Sequence, residues 1–114
     1  MEHFDITKFI ENNTAQMRKG TLELAILSII GKSSVYAGDI IEKLQDTHLI
    51  VVEGTLYPLL SRMKRGGLLE YSWVESPNGP PRKYYGLTAE GRSVLERLSK
   101  EWKDMTGSIT KLLE

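Results

Sequence analysis

The chain has no cysteine and only two histidines, His3 and His48. Disulfides and thiolate chemistry are therefore excluded, and a zinc site would have to be built mostly from carboxylates. No metal site and no cofactor are expected. No apolar run approaches the ~20 residues that span a bilayer. The N-terminal MEHFDITKFIENN carries acids and lacks the basic start and apolar core of a secretory leader, so a cytoplasmic location is expected. A phosphate-cradling glycine loop is absent too. Ser61 and Lys64 match S-x-x-K, but the companion motifs of the hydrolases that use it are missing. His48 has no titratable partner at catalytic spacing, so no acid, base and nucleophile set can be assembled and an enzyme is not expected.

Net charge is also lacking, with 15 basic residues against 15 acidic. The balance conceals an uneven distribution. Residues 57 to 85 hold Arg62, Lys64, Arg65, Arg82 and Lys83 against only Glu70 and Glu75, while the first 56 residues are net acidic. Local field rather than total charge steers a polyanion, so the middle third is where one would bind. What remains is ordinary: 114 residues, 40% hydrophobic and 26% charged, which suits one globular domain.

Periodicity supplies the elements. Ile6, Phe9, Ile10 and Met17 fit a helical stripe ending near Arg18, Lys19 and Gly20. Thr21 to Ile30 is almost wholly apolar, which predicts a separate short helix buried nearly all round and stopped by Gly31. Ser34 is placed to cap the next helix, VYAGDIIEKLQ, with Val35, Ile40, Ile41 and Leu44 inward. Val52, Leu56, Leu59, Leu60 and Met63 then predict an amphipathic helix facing the core, with Pro58 in its first turn and Gly66 and Gly67 at its end. LLEYSWVE and RKYYGLT, joined by SPNGPP, predict a β-hairpin turning at Asn78 and Gly79, with one of Tyr84 and Tyr85 in the core. Thr88 caps a last helix along which Leu95, Leu98, Trp102, Met105, Ile109 and Leu112 recur at heptad spacing.

Three helices followed by a hairpin is the order of a winged helix-turn-helix: mainly α with a small β-hairpin, the third core helix entering the major groove and the hairpin serving as wing. The expected organisation is a helical extension over residues 1–19, a DNA-binding domain over 20–88 and a dimerisation helix over 89–114. On the helix meant for the groove, Thr55, Tyr57, Ser61, Arg62 and Arg65 are left for phosphates or base edges. Arg82 and Lys83 would reach the flanking backbone, and Ser34 and Tyr36 lie beside free amides that suit a phosphate. The plain alternative for the basic residues is a solvated helix face.

GTLYPLLSRMKRGGLLE followed by GPPRKYYGLTAEG resembles the signature of PadR-family transcriptional regulators. The resemblance implies a dimeric bacterial winged-helix regulator, typically a repressor, that pairs through its C-terminal helix and leaves operator DNA when an effector binds. It matches the family's recognition-helix tyrosine to Tyr57 and its wing motif to Arg82, Lys83, Tyr84 and Tyr85. The single long C-terminal helix resembles the shorter branch of the family. Independently of the family, a heptad seam on the last helix of so small a domain calls for a second copy. Two-fold pairing would set two recognition helices about 34 Å apart, with the N-terminal helix covering the partner's last helix. Trp102 has two readings, as a dimer-packing residue or as a platform for a flat aromatic effector of the kind that some similar multidrug-binding regulators stack there. The competing function is a winged-helix protein-interaction module that does not bind DNA.

Overall fold

The computed structural model describes residues 3–114, ordered as α1 (Ile6–Lys32), α2 (Ala37–Asp46), α3 (Glu53–Arg65), β1 (Leu69–Ser76), β2 (Gly79–Leu87) and α4 (Ala89–Leu113). The expected class stands: four helices and a two-stranded antiparallel hairpin.

The two expected N-terminal helices are one. Asp5 caps α1 by accepting from the Lys8 amide at 3.0 Å, and the helix passes through Gly20 without a break. A mid-helix glycine costs only about 1 kcal/mol relative to alanine, which does not end a helix whose backbone ladder continues on both sides. α1 ends at Lys32, one residue past the expected stop at Gly31, and Gly31 also lets α4 approach. A Cβ there would lie 2.9 Å from Leu95 Cδ2 and 3.1 Å from Leu87 Cδ1. Only the last third of α1 is core, through Ile26, Leu27 and Ile30, so the run from Thr21 is not buried all round.

Ser34 does not cap α2. Val35 exchanges backbone hydrogen bonds with Tyr85, its amide donating at 3.2 Å and its carbonyl accepting at 2.7 Å. That bridge holds residues 34 and 35 extended and delays the helix to Ala37. Tyr36 becomes the N-cap residue, and Asp39 reaches back to accept from the Tyr36 amide at 3.4 Å. Val35 is buried as expected, but from an extended segment beside the wing.

In α3, Leu56, Leu60 and Met63 are buried. Val52 is not part of that stripe. It is the N-cap residue and stays 66% exposed. Because α3 starts at Glu53, Pro58 lies in the second turn rather than the first. Its missing amide frees the carbonyl of Gly54, and both residues fall on the solvent side, so that carbonyl is not buried without a partner. Gly67 takes the left-handed conformation, φ 79°. The Gly67 amide donates to Lys64 O at 3.1 Å and the Leu68 amide to Met63 O at 3.0 Å, the paired bonds of a Schellman stop. His48 ends α2 the same way at φ 63°, with the Leu49 amide donating to Leu44 O at 2.8 Å.

The hairpin turns one residue earlier than expected. Ser76 pairs with Gly79, which leaves Pro77 and Asn78 at the corner, and the register shifts between Val74 and Ser76. His48 and Gly67 are the positive-φ residues among those described. The corner therefore does not use the left-handed turn that Asn-Gly favours, and proline at the second position and glycine at the fourth fit a type I turn.

Thr88 caps α4, accepting from the Gly91 amide at 3.0 Å while its hydroxyl donates to Gly67 O at 2.6 Å. This junction fixes α4 against the end of α3. From there α4 runs antiparallel to α1, with Val94, Leu95 and Leu98 packed on the core. Beyond Leu98 both helices leave the core, which makes the molecule long, 59 × 30 × 25 Å.

Candidate nucleic-acid interface

The winged half of the molecule encloses a concavity of about 330 Å³ between the start of α2, the outer side of α3 and the wing. At about 100° per residue, Arg65 falls opposite the Leu56, Leu60 and Met63 stripe, Ser61 lies toward one flank and Tyr57 on that flank. Tyr57 and Ser61 line the concavity with Tyr36, Trp73, Arg82 and Lys83, and buried Tyr85 closes its back. Thus five of the nine expected contact residues meet at one surface: Tyr36, Tyr57, Ser61, Arg82 and Lys83.

The other four lie around it. Arg65 is exposed in the last turn of α3, where its charge also favours the helix C-terminus. Ser34 is exposed in the extended segment before α2. Thr55 is turned the other way, to a second hollow floored by Leu22, Val51 and Val52. Arg62 does not project freely outward, because its guanidinium pairs with Glu23 of α1. At about 100° per residue it falls on the flank opposite Tyr57, the same side as Thr55, where Glu23 of α1 claims it.

Aromatic rings hold the wing cations. The Arg82 guanidinium stands 4.5 Å over the Tyr36 ring, and the Lys83 ammonium is 4.5 Å from the Tyr71 centroid and 5.4 Å from that of Trp73. Lys64 of α3 approaches the same Tyr71 ring at 5.7 Å. Each contact orients a charge without neutralising it. Of the tyrosine pair expected to divide between core and surface, Tyr85 is buried and Tyr84 half-buried. Burial raises the Tyr85 phenol above its ordinary pKa, and the neighbouring Tyr57 and Tyr71 phenols push it further.

Sequence reasoning missed Trp73 and Lys64. Trp73 is 62% exposed and stands edge-on to Tyr71 at 6.2 Å. The signal was present in the alternation of Leu69, Tyr71 and Trp73, which puts all three on one face of β1, but their cross-strand partners Leu87, Tyr85 and Lys83 depend on the register.

A basic, aromatic-lined surface built from a helix and a wing suits a polyanion. A family model for PadR-like transcriptional regulators matches residues 26–97. The chain belongs to the PadR-like family. It is similar to a PadR-like transcription factor from Bacteroides fragilis, 52% identical, with a TM-score of 0.74 over 89% of this chain and 98% of that one. A PadR-like regulator from Bacillus cereus is 39% identical, TM-score 0.80, covering 87% and 97% of the two chains. A third, from Eggerthella lenta, is 31% identical with a TM-score of 0.84 over 95% of each. This PadR-like chain is accordingly a DNA-binding transcriptional regulator and not an enzyme. Among the described residues no helix is long and apolar enough to cross a membrane, and no three His, Asp or Glu side chains are grouped to hold a metal ion.

The opposite end of this PadR-like chain carries a different surface. Trp102, Met105, Ile109 and Leu112 are 42%, 59%, 55% and 80% exposed. With Met17, Gly20 and Thr21 of α1, the first three line a groove of about 570 Å³. Leu95 and Leu98 belong to the same heptad seam but already pack on this chain's own core.

Proposed function

We propose that the protein is a homodimeric repressor that binds a palindromic operator. Each protomer lays α3 in the major groove with Tyr57, Ser61 and Arg65 toward DNA, and its wing presents Arg82 and Lys83 to the flanking phosphates. Ser34 and the free backbone amides beside Tyr36 meet the phosphates near the start of α2, and Thr55 and Arg62 contact the edge of the site. The observation that carries this reading is the convergence of α2, α3 and a wing with ring-seated cations on one concave face. A protein-interaction module has no need for it.

Dimerisation is supported by the apolar stripe from Trp102 to Leu112 and by exposed Phe4, Ile6, Phe9 and Ile10 on and just ahead of α1. Monomeric proteins rarely leave so continuous an apolar surface in water. Two-fold pairing would bury both arms, the N-terminal half of α1 lying over the partner's α4. A flat aromatic effector would enter the groove at Trp102 and weaken DNA binding by shifting the angle between protomers. Residues 1–19, 20–88 and 89–114 serve in this scheme as covering arm, DNA reader and dimer seam, α1 running unbroken through the first boundary.

The test is a DNA-shift titration on the promoter of the protein's own operon over a salt series. Three phosphate-gripping cations per protomer (Arg65, Arg82 and Lys83) make about six per dimer, so log K should fall against log salt with a slope near −5, or about a thousandfold between 50 and 200 mM. Replacing Arg82 and Lys83 by alanine should flatten the slope by about four and weaken all sequences alike. A flat salt response, or no preference over random DNA, rejects the proposal.

A further inference from the structure

We propose that Tyr36 is a positioning residue whose ring, rather than its hydroxyl, aims Arg82 at DNA, and that Gly38 is glycine to make room for that ring. The inference rests on the reading of Arg82 as a DNA contact.

Three separate contacts fix the ring. Tyr36 lies in the segment tied to β2 by the Val35–Tyr85 backbone bridge, which puts its side chain on the same side as Tyr84 and Arg82, two strand positions apart. The Tyr36 and Tyr84 rings meet at 5.6 Å and 47°. One residue into α2, a Cβ on Gly38 would sit 2.6 Å from Tyr36 Cε2 and 3.1 Å from Cζ. Any other residue at position 38 therefore pushes the ring from its seat. Arg82, exposed and without a carboxylate partner among the described ion pairs, rests on this ring at 4.5 Å. A cation held on a π face keeps its N–H donors free for a phosphate. It also loses less rotamer freedom on binding than an unheld arginine.

The test is a double-mutant cycle read by DNA-shift titration, with urea unfolding as the fold control. Arg82→Ala should weaken binding. Tyr36→Phe, which keeps the ring, should bind like the parent, whereas Tyr36→Leu should lose roughly two- to fivefold per Arg82 contact. Gly38→Ala should show a similar loss even though alanine favours the helix, so that DNA affinity falls while stability holds or rises. In an Arg82→Ala background neither Tyr36→Leu nor Gly38→Ala should weaken binding further. If Arg82→Ala binds normally, both the contact and its positioning are rejected. If Arg82→Ala is weak but Tyr36→Leu and Gly38→Ala bind like the parent, or if Tyr36→Phe is as weak as Tyr36→Leu, the contact survives and the positioning role is overturned.

Discussion

Gly91 and Gly20 make the same substitution to alanine into two opposite experiments. At Gly91 a Cβ would come within 2.0 Å of the Leu68 carbonyl oxygen and 3.0 Å of its carbon. Both groups are backbone, so no rotamer change relieves the overlap, and contact distance is restored only if the start of α4 withdraws by more than 1 Å, on the order of the missing separation. The same junction holds the Thr88 amide to Leu68 O at 3.1 Å and the Thr88 hydroxyl to Gly67 O at 2.6 Å. Overpacking of this kind costs about 1–3 kcal/mol, and a hydrogen bond lost at the cap adds about 1. Alanine's better helix propensity returns about 1. Gly91→Ala should therefore destabilise by about 1–3 kcal/mol. Gly20→Ala, mid-helix with nothing within 4 Å of its added Cβ, should stabilise by about 0.5–1 kcal/mol. The assay is urea unfolding at one fixed protein concentration, reading the midpoint at unchanged m. Shifts of the same sign for the two variants would refute the account of the α3–α4 junction.

Three further outcomes are expected. His48→Gly should raise stability by about 0.5–1 kcal/mol in the same assay, because glycine reaches the φ of 63° without steric cost. The raised Tyr85 pKa means that its neutral phenol supports the fold fully below the unfolded value of 10.0 and that this support is lost as pH rises through the higher folded value. The urea midpoint should thus fall more steeply between about pH 9 and 11 in the parent than in Tyr85→Phe. Trp102→Ala should abolish release from DNA by planar aromatic compounds while the dimer stays intact by light scattering. If the dimer is lost instead, Trp102 is a packing residue and the effector reading fails.

Where a signal was local, the structure agrees with it closely. Thr88 as a cap, Gly67 as a left-handed stop, the α3 stripe and the burial of one tyrosine of the pair each depend on a few neighbouring residues. The mistaken boundaries have separate causes. Gly20 looked like punctuation, yet a glycine ends a helix only when the next residues turn away, and α1 continues through it to Lys32, one residue past Gly31. Ser34 was the better cap by type, but the Val35–Tyr85 bridge, between residues 50 apart in sequence, set where α2 begins. The candidate site divided in the same way. Residue type and helical phase found Tyr57, Ser61 and Arg65, whereas Arg62 was claimed by Glu23 from another helix.

By itself the sequence determined the element types, the helix face that would be buried, the placement of positive charge in the middle third and the family, because each is written in residue type and short-range spacing. The tertiary structure decided which cations are free and which are held. Arg82 rests on Tyr36, Lys83 on Tyr71 and Trp73, and Arg62 is paired to α1. Those pairings depend on strand register and helix packing, quantities that no local spacing contains. They separate a charged surface from an oriented one.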